Sequence, residues 1–188
     1  LHPVFDWFIN KLVIVNNNHD MFGSYHSVYE SYSSLLATIE GILEDSSKQE
    51  VLQFLQAADL GITDLNISAQ SSIFGNKINL KDKQRFQTID ENFTFEKNRV
   101  YDYFKITFFH QGKNNIPIAF DIDDESQGTQ RLFAYAGKII KALREGKILI
   151  IDELDSSLHP KIVQFLIALI HSNTTNKNNA QLIFTTHN

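Results

Sequence analysis

The run Ile148-Leu149-Ile150-Ile151-Asp152-Glu153 sets four apolar residues directly before two carboxylates. Four such residues fit a sheet strand buried on both faces, and in open α/β sheets ligands bind beyond the carboxyl ends of the strands, where charge is useful. A carboxylate in that position, Asp152, has the chemistry to hold Mg²⁺ directly or through water. Its neighbour Glu153 is then placed to polarise an attacking water, a general-base role worth roughly 10²- to 10⁴-fold in rate. The same six residues also describe an ordinary strand ending in an acidic turn, and taken alone they leave both readings open.

Their company favours the chemical reading. Leu154-Asp155-Ser156-Ser157-Leu158-His159-Pro160 follows at once, and a second apolar run from Gln181 ends in Thr185-Thr186-His187. With these residues the chain resembles the ABC-type ATPase superfamily. "ILIIDELDSSLHP" is similar to that superfamily's Walker B strand, catalytic glutamate and D-loop, and "LIFTTHN" is similar to its switch-histidine motif. Within the superfamily the chain looks like the bacterial AAA-family ATPases with ABC-type heads, related to the overcoming-lysogenization-defect and abortive-infection ATPases. Glu125-Ser126-Gln127-Gly128-Thr129-Gln130 stands where that family has the ABC signature, Ser126 and Gly128 matching its serine and a glycine. The resemblance is specific over roughly Tyr103 to Asn188 and is carried before that only by "WFINKLVIV" and "LQAADLGITDL".

The resemblance implies ATP and Mg²⁺ as cofactors, with Asp152 on the metal and Glu153 and His187 as the catalytic pair, His187 touching the γ-phosphate. It places Ser126, Gln127 and Gly128, and with less weight Asp155 and Ser157, on the nucleotide. It implies a homodimer closed around ATP that drives a nuclease or toxin effector in phage defence, and it admits DNA as a further partner. A glycine-containing turn opening a helix suits the signature role, because it offers free backbone N–H groups and a positive dipole end to an anion. In isolation, Ser126 reads more readily as a helix cap and His187 as a polar residue at a strand end; their positions around the Asp152-Glu153 strand reverse that. His159 stands where transporter-type heads carry the D-loop aspartate, and capping the helix that Pro160 begins is its other reading.

No G-x-x-x-x-G-K-S/T occurs, since Gly112-Lys113 and Gly137-Lys138 lack both the upstream glycine and the following hydroxyl residue. The family pattern puts that loop ahead of everything seen here. The chain begins at Leu1 and stops at Asn188 just after an apolar run, so both ends read as cut. The expectation is a phosphate-gripping loop before Leu1 and no appreciable ATPase activity from these 188 residues alone. Two rivals stand beside this reading. A DNA-repair or chromosome-structure ATPase would carry long heptad coiled coils, and a non-catalytic scaffold would have a degenerate nucleotide site.

The elements that must position these groups are legible from periodicity. Residues 27–60 read as a helical pair opened by the capping-box patterns Ser27-x-x-Glu30 and Ser47-x-x-Glu50, with Gly61 placed to end the second helix. Residues 62–100 give mixed, strand-like pieces around Phe74, Ile78, Phe86 and Phe93. Ile106 and Phe108, then Ile116, Ile118, Phe120 and Ile122, alternate about Gln111-Gly112-Lys113-Asn114-Asn115, the pattern of a β-hairpin. A helix follows Gly128 with Leu132, Phe133, Ala136, Ile139, Ile140 and Leu143 on one face and Gly146 as its stop. Strand 148–151, a helix from Pro160 and a strand from Gln181 then imply a parallel unit. The fold class is α/β, a P-loop NTPase-like, partly parallel sheet with flanking helices, preceded by the helical pair and the hairpin. Residues 1–100 form its helical and mixed β part, and residues 101–188 the signature, Walker B, D-loop and switch-histidine half.

Composition narrows the rest. A 43% hydrophobic content supports a core in a chain of 188 residues, and the absence of cysteine removes disulfides and thiolate chemistry, which suits a reducing cytosol. The formal charge of −5 excludes a broad basic coat while leaving room for a local basic groove. No segment approaches the ~20 apolar residues that span a bilayer. No H-E-x-x-H, G-x-S-x-G or Cys/His cluster appears, and the fifteen phenylalanines read as core filling.

Overall fold

The computed structural model describes residues 7, 10–15, 28–43, 47–69, 104–156 and 158–187, with the backbone alone for 28–33. In chain order these form β1 (Leu12–Val15), α1 (Val28–Leu43), α2 (Lys48–Ala57), β2 (Ile62–Ala69), β3 (Phe104–Gln111), β4 (Pro117–Asp121), α3 (Gln127–Glu145), β5 (Ile148–Ile151), α4 (Pro160–His171) and β6 (Gln181–Phe184). Ser27 of the first capping box, the pieces around Phe74, Ile78, Phe86 and Phe93, and Ser157 lie outside the described residues. No described helix is long and apolar enough to cross a membrane.

The chain is mixed α/β with two sheets. One is parallel, in the order β1-β5-β6, so the strand before Asp152 sits at its centre. The other is antiparallel, β2-β3-β4, and contains the hairpin. Helix α3 joins them. Phe133 on α3 meets Phe108 on β3 edge-on at 5.2 Å, and both side chains are fully buried. Burial of a side chain of that size contributes about 1.5–3 kcal/mol. The expected apolar face of α3 is present, and the early turns also bury Gln130, Arg131, Ala134 and Tyr135, which makes α3 the central helix.

The helical pair forms as α1 and α2, but the second capping box does not. Ser47 occupies the N-cap with φ −120° and ψ −2° and makes no side-chain cap hydrogen bond. Its hydroxyl instead fills the space beside Gly41, 2.7 Å from where a Cβ there would lie, so packing against α1 overrides the local motif. Helix α2 ends at Ala57, and Asp59 (φ 58°) reverses the chain before Gly61 (φ 70°) does.

Helix α1 crosses α3 at a close approach between Thr38 and Gly137. The Thr38 hydroxyl accepts from the Gly137 N–H at 2.9 Å, and its own proton lies between the carbonyls of Ala134 (3.0 Å) and Ser34 (3.2 Å). A Cβ on Gly137 would lie 2.8 Å from Thr38 Cα and 3.0 Å from its nitrogen, contacts that cannot relax by rotating a side chain. Gly137→Ala is therefore expected to destabilise, although alanine gains about 0.5–1 kcal/mol of helix propensity. Overpacking costs about 1–3 kcal/mol, which leaves a net loss of up to about 2.5 kcal/mol, so the melting temperature should fall by up to roughly 10 °C. A rise on thermal unfolding would show that α1 gives way without cost.

The apolar alternation of the hairpin marks strand β4, yet most of its row stands in solvent. Ile122 is buried, whereas Phe120, Ile118 and Ile116 are exposed, Ile116 to 64%. The hairpin climbs out of the core towards its tip. The expectation that β5 is buried on both faces is also corrected. The face carrying Leu149 and Ile151 is covered, but Ile14, Ile150 and Ile183 lie in register on the other, and Ile14 and Ile183 are 55% and 54% exposed. Among the described residues, the buried side chains of the helices lie on the Leu149 and Ile151 side.

Candidate active site

Because β5 and β6 run parallel, the residues after Ile151 and after Phe184 emerge at one edge of one sheet. Thr185 stitches the two ends together. Its N–H donates to the Ile151 carbonyl at 3.2 Å, and its own carbonyl accepts from the Leu154 N–H at 3.0 Å. Its hydroxyl accepts from the Glu153 N–H at 2.7 Å and donates to the Asp152 carboxylate. One hydroxyl thus fixes both carboxylate-bearing residues, using its donor and an acceptor lone pair.

Glu153 takes the left-handed conformation, φ 49°, which a residue with a Cβ adopts at a cost of about 1–2 kcal/mol. That turn brings its Oε1 to 3.0 Å from Nε2 of His187. Strain held at such a position accords with a functional role. The His187 N–H points at the Asp155 carboxylate, at 3.2 and 3.4 Å from its two oxygens. Desolvation acts to raise the Asp155 pKa, but hydrogen bonds from Thr186 and from the backbone N–H groups of Asp155 and His187, with the charge of His187, outweigh it and hold the carboxyl below the usual aspartate range. The folded-state value being depressed, this contribution to loop order is complete above the unfolded value and is lost as pH falls through the folded one. Leu154 and Leu158 are buried and anchor the loop from beneath.

His159 caps α4, its Nδ1 accepting from the Lys161 N–H at 3.2 Å with Pro160 at the first helical position. The capping reading of His159 is thus the one observed.

The signature turn stands on a separate element. Ser126 is the N-cap of the 19-residue helix α3, accepting from the Thr129 N–H at 3.1 Å, with Gln127 and Gly128 in the first turn. Ser126 and Gln127 are exposed and Gly128 is half-buried, so the positive end of the helix is open to an anion. A buried side chain ties the helix that this turn opens to the loop after Glu153. The link runs through Arg131, one turn into α3 and buried, whose guanidinium donates to the Ser156 carbonyl in the loop after Glu153. The structure therefore brings Asp152, Glu153, Asp155 and His187 together at one edge, with Ser126, Gln127 and Gly128 joined to them at one remove.

Two residues escaped the sequence reading, Thr185 and Arg131. Thr185 was visible only as the end of an apolar strand, and Arg131 as one charge beside an apolar helix face.

The donor set fits Mg²⁺. Asp152 is exposed with one carboxylate oxygen engaged by Thr185, and no group of three His, Cys, Asp or Glu that could hold a metal occurs among the described residues. Mg²⁺ is ordinarily held by one or two carboxylates, waters and nucleotide phosphates, so a single strand-end aspartate suits it where a caged metal would need more.

The model of one family, described as "AAA domain, putative AbiEii toxin, Type IV TA system", matches residues 6–188. No curated protein and no solved structure matches the chain.

Proposed function

From the premise that the chain belongs to this family of AAA domains, we propose that it is the Mg-binding, water-activating and signature-bearing part of an ATPase that dimerises around ATP. The observation that carries the proposal is the Thr185 stitch, which holds Asp152, Glu153 and His187 at the carboxyl edge of a single parallel sheet. Asp152 holds the metal, which when bound neutralises charge on the phosphates. Glu153 accepts a hydrogen bond from the attacking water, and its carboxylate stands ready to take the proton. His187, paired with that carboxylate, reports the γ-phosphate to it. Asp155 holds the His187 backbone in place and, with Ser157, is assigned to the nucleotide.

Ser126, Gln127 and Gly128 meet the γ-phosphate bound on the other head, offering it the exposed N-terminal turn of α3. The phosphate cradle itself comes from residues outside these 188, since no P-loop sequence is among them. The family description names a toxin and a toxin–antitoxin system. A toxin or nuclease effector is accordingly the partner that opening and closing of the dimer would drive, and phage defence the setting.

Ser126→Arg tests the arrangement in the full-length protein. The substitution removes a cap worth about 0.5–2 kcal/mol and places a bulky cation at the turn. ATP binding to the single head should persist, while the ATP-dependent dimer seen by sedimentation should disappear. A variant that dimerises and hydrolyses like the wild type sinks the reading, as does a wild-type protein that binds no Mg-ATP.

A further inference from the structure

Three ties hold Glu125, the residue immediately before the signature serine. Its N–H donates to the Ile122 carbonyl at 3.1 Å, and its carbonyl accepts from Gln130 Nε2 at 2.9 Å. Both are local and fix only the shape of the turn. The third is long-range: the Glu125 carboxylate, with a side chain 10% exposed, places Oε1 2.6 Å from Nε2 of His110 at the far end of β3. The His110 ring is itself fixed, edge-on to Phe120 of β4 at 5.2 Å. The position of the turn relative to the antiparallel sheet is thus set through this pair.

The pair also has an electrostatic consequence. A largely buried carboxylate one residue ahead of a helix N-terminus competes for the same positive dipole end that an incoming phosphate must use, and like charge there opposes anion binding. An imidazole N–H donated to it engages the carboxylate oxygen and keeps the carboxylate turned towards β3, away from the helix end. We propose that His110 is a positioning residue for the signature turn, holding the Glu125 carboxylate against the sheet and away from the helix end so that Ser126 and Gly128 can receive the γ-phosphate of the partner head. The inference rests on the ATPase reading above and extends it to His110, which lies outside the signature stretch 125–130.

The test uses the full-length protein and its ATP-driven dimer. His110→Ala is expected to raise KM for ATP about tenfold and to weaken the dimer in parallel, with kcat at saturating ATP changed no more than about threefold, because Asp152 and Glu153 are untouched. Glu125→Gln alone should stay near wild type, since an amide still accepts from the imidazole and carries no charge. The double variant His110→Ala with Glu125→Gln should recover most of the lost affinity, an outcome that lost packing would not give. His110→Gln serves where the alanine variant fails to fold, and it should show the same KM shift in milder form with the same rescue.

Wild-type KM in both His110 variants overturns the proposal, as does a double variant no better than His110→Ala. Either result leaves the ATPase reading intact provided that wild-type turnover depends on Glu153. A wild-type protein without Mg-ATP turnover overturns both.

Discussion

Glu153→Gln in the full-length protein is expected to lower turnover by roughly 10²- to 10⁴-fold while leaving ATP binding in place. Glutamine is nearly isosteric, and its amide oxygen can still meet His187 where Oε1 now stands, 3.0 Å from Nε2. What it loses is the ability to take a proton from water. A head that binds ATP without hydrolysing it should also hold its dimer longer, which phosphate release and sedimentation of one sample would report together. Unchanged turnover removes Glu153 from its role. Glu153→Gly sharpens the argument, because it relieves the backbone cost of a positive φ, about 1–2 kcal/mol, yet should be as inactive as the glutamine variant. Gain of stability with loss of activity is the signature of strain kept for function.

Gly146→Val should produce the largest loss of stability. Gly146 closes α3 in the left-handed conformation, φ 61°, and a Cβ there would lie 2.2 Å from the Asn178 carbonyl oxygen. The Asn178 side chain in turn donates to the Arg144 carbonyl at 2.7 Å, satisfying one of the free carbonyls at the end of the helix. A β-branched side chain adds a backbone penalty of about 1–2 kcal/mol to an overpacking penalty of about 1–3 kcal/mol. At roughly 2–4 °C per kcal/mol for a chain of this size, the melting temperature should fall by about 4–20 °C. Strand β5 starts two residues later, so turnover should fall as well, through displacement of Asp152 and Glu153. A loss below about 1 kcal/mol on thermal unfolding would show that the Asn178 turn moves aside freely.

The elements around the site were legible because their periodicities are strong. The pattern of α3, the 111–115 turn between β3 and β4, and the strand-helix-strand order of β5, α4 and β6 all appear where hydrophobic spacing put them. Ser47 was misread because a capping box is a local motif, whereas its hydroxyl is placed by a residue of the previous helix. The open face of β5 escapes notice in the sequence because an apolar run states what a strand could bury, not what is present to cover it.

Within the site, the carboxylates and the histidine announced themselves by type and order. Thr185 and Arg131 did not, since each acts through a partner distant in sequence, Thr185 on Asp152 and Arg131 on the Ser156 carbonyl. A threonine ending a strand and an arginine in a helix are common enough to pass unnoticed until the sheet registers strand ends against each other.

The register of the parallel sheet also orders events in time. Residue 12 finds its neighbour only at residue 148, and residue 148 its other neighbour only at 181, while β2, β3 and β4 join without waiting for either. Long-range pairings are slow to form because the loop they close must be ordered first. During synthesis the antiparallel half therefore has the opportunity to settle early, ahead of β6 and Thr185. The edge that carries Asp152 and Glu153 is locked only once Thr185 has emerged, so an intermediate that stops short of it carries both acidic residues unlocked.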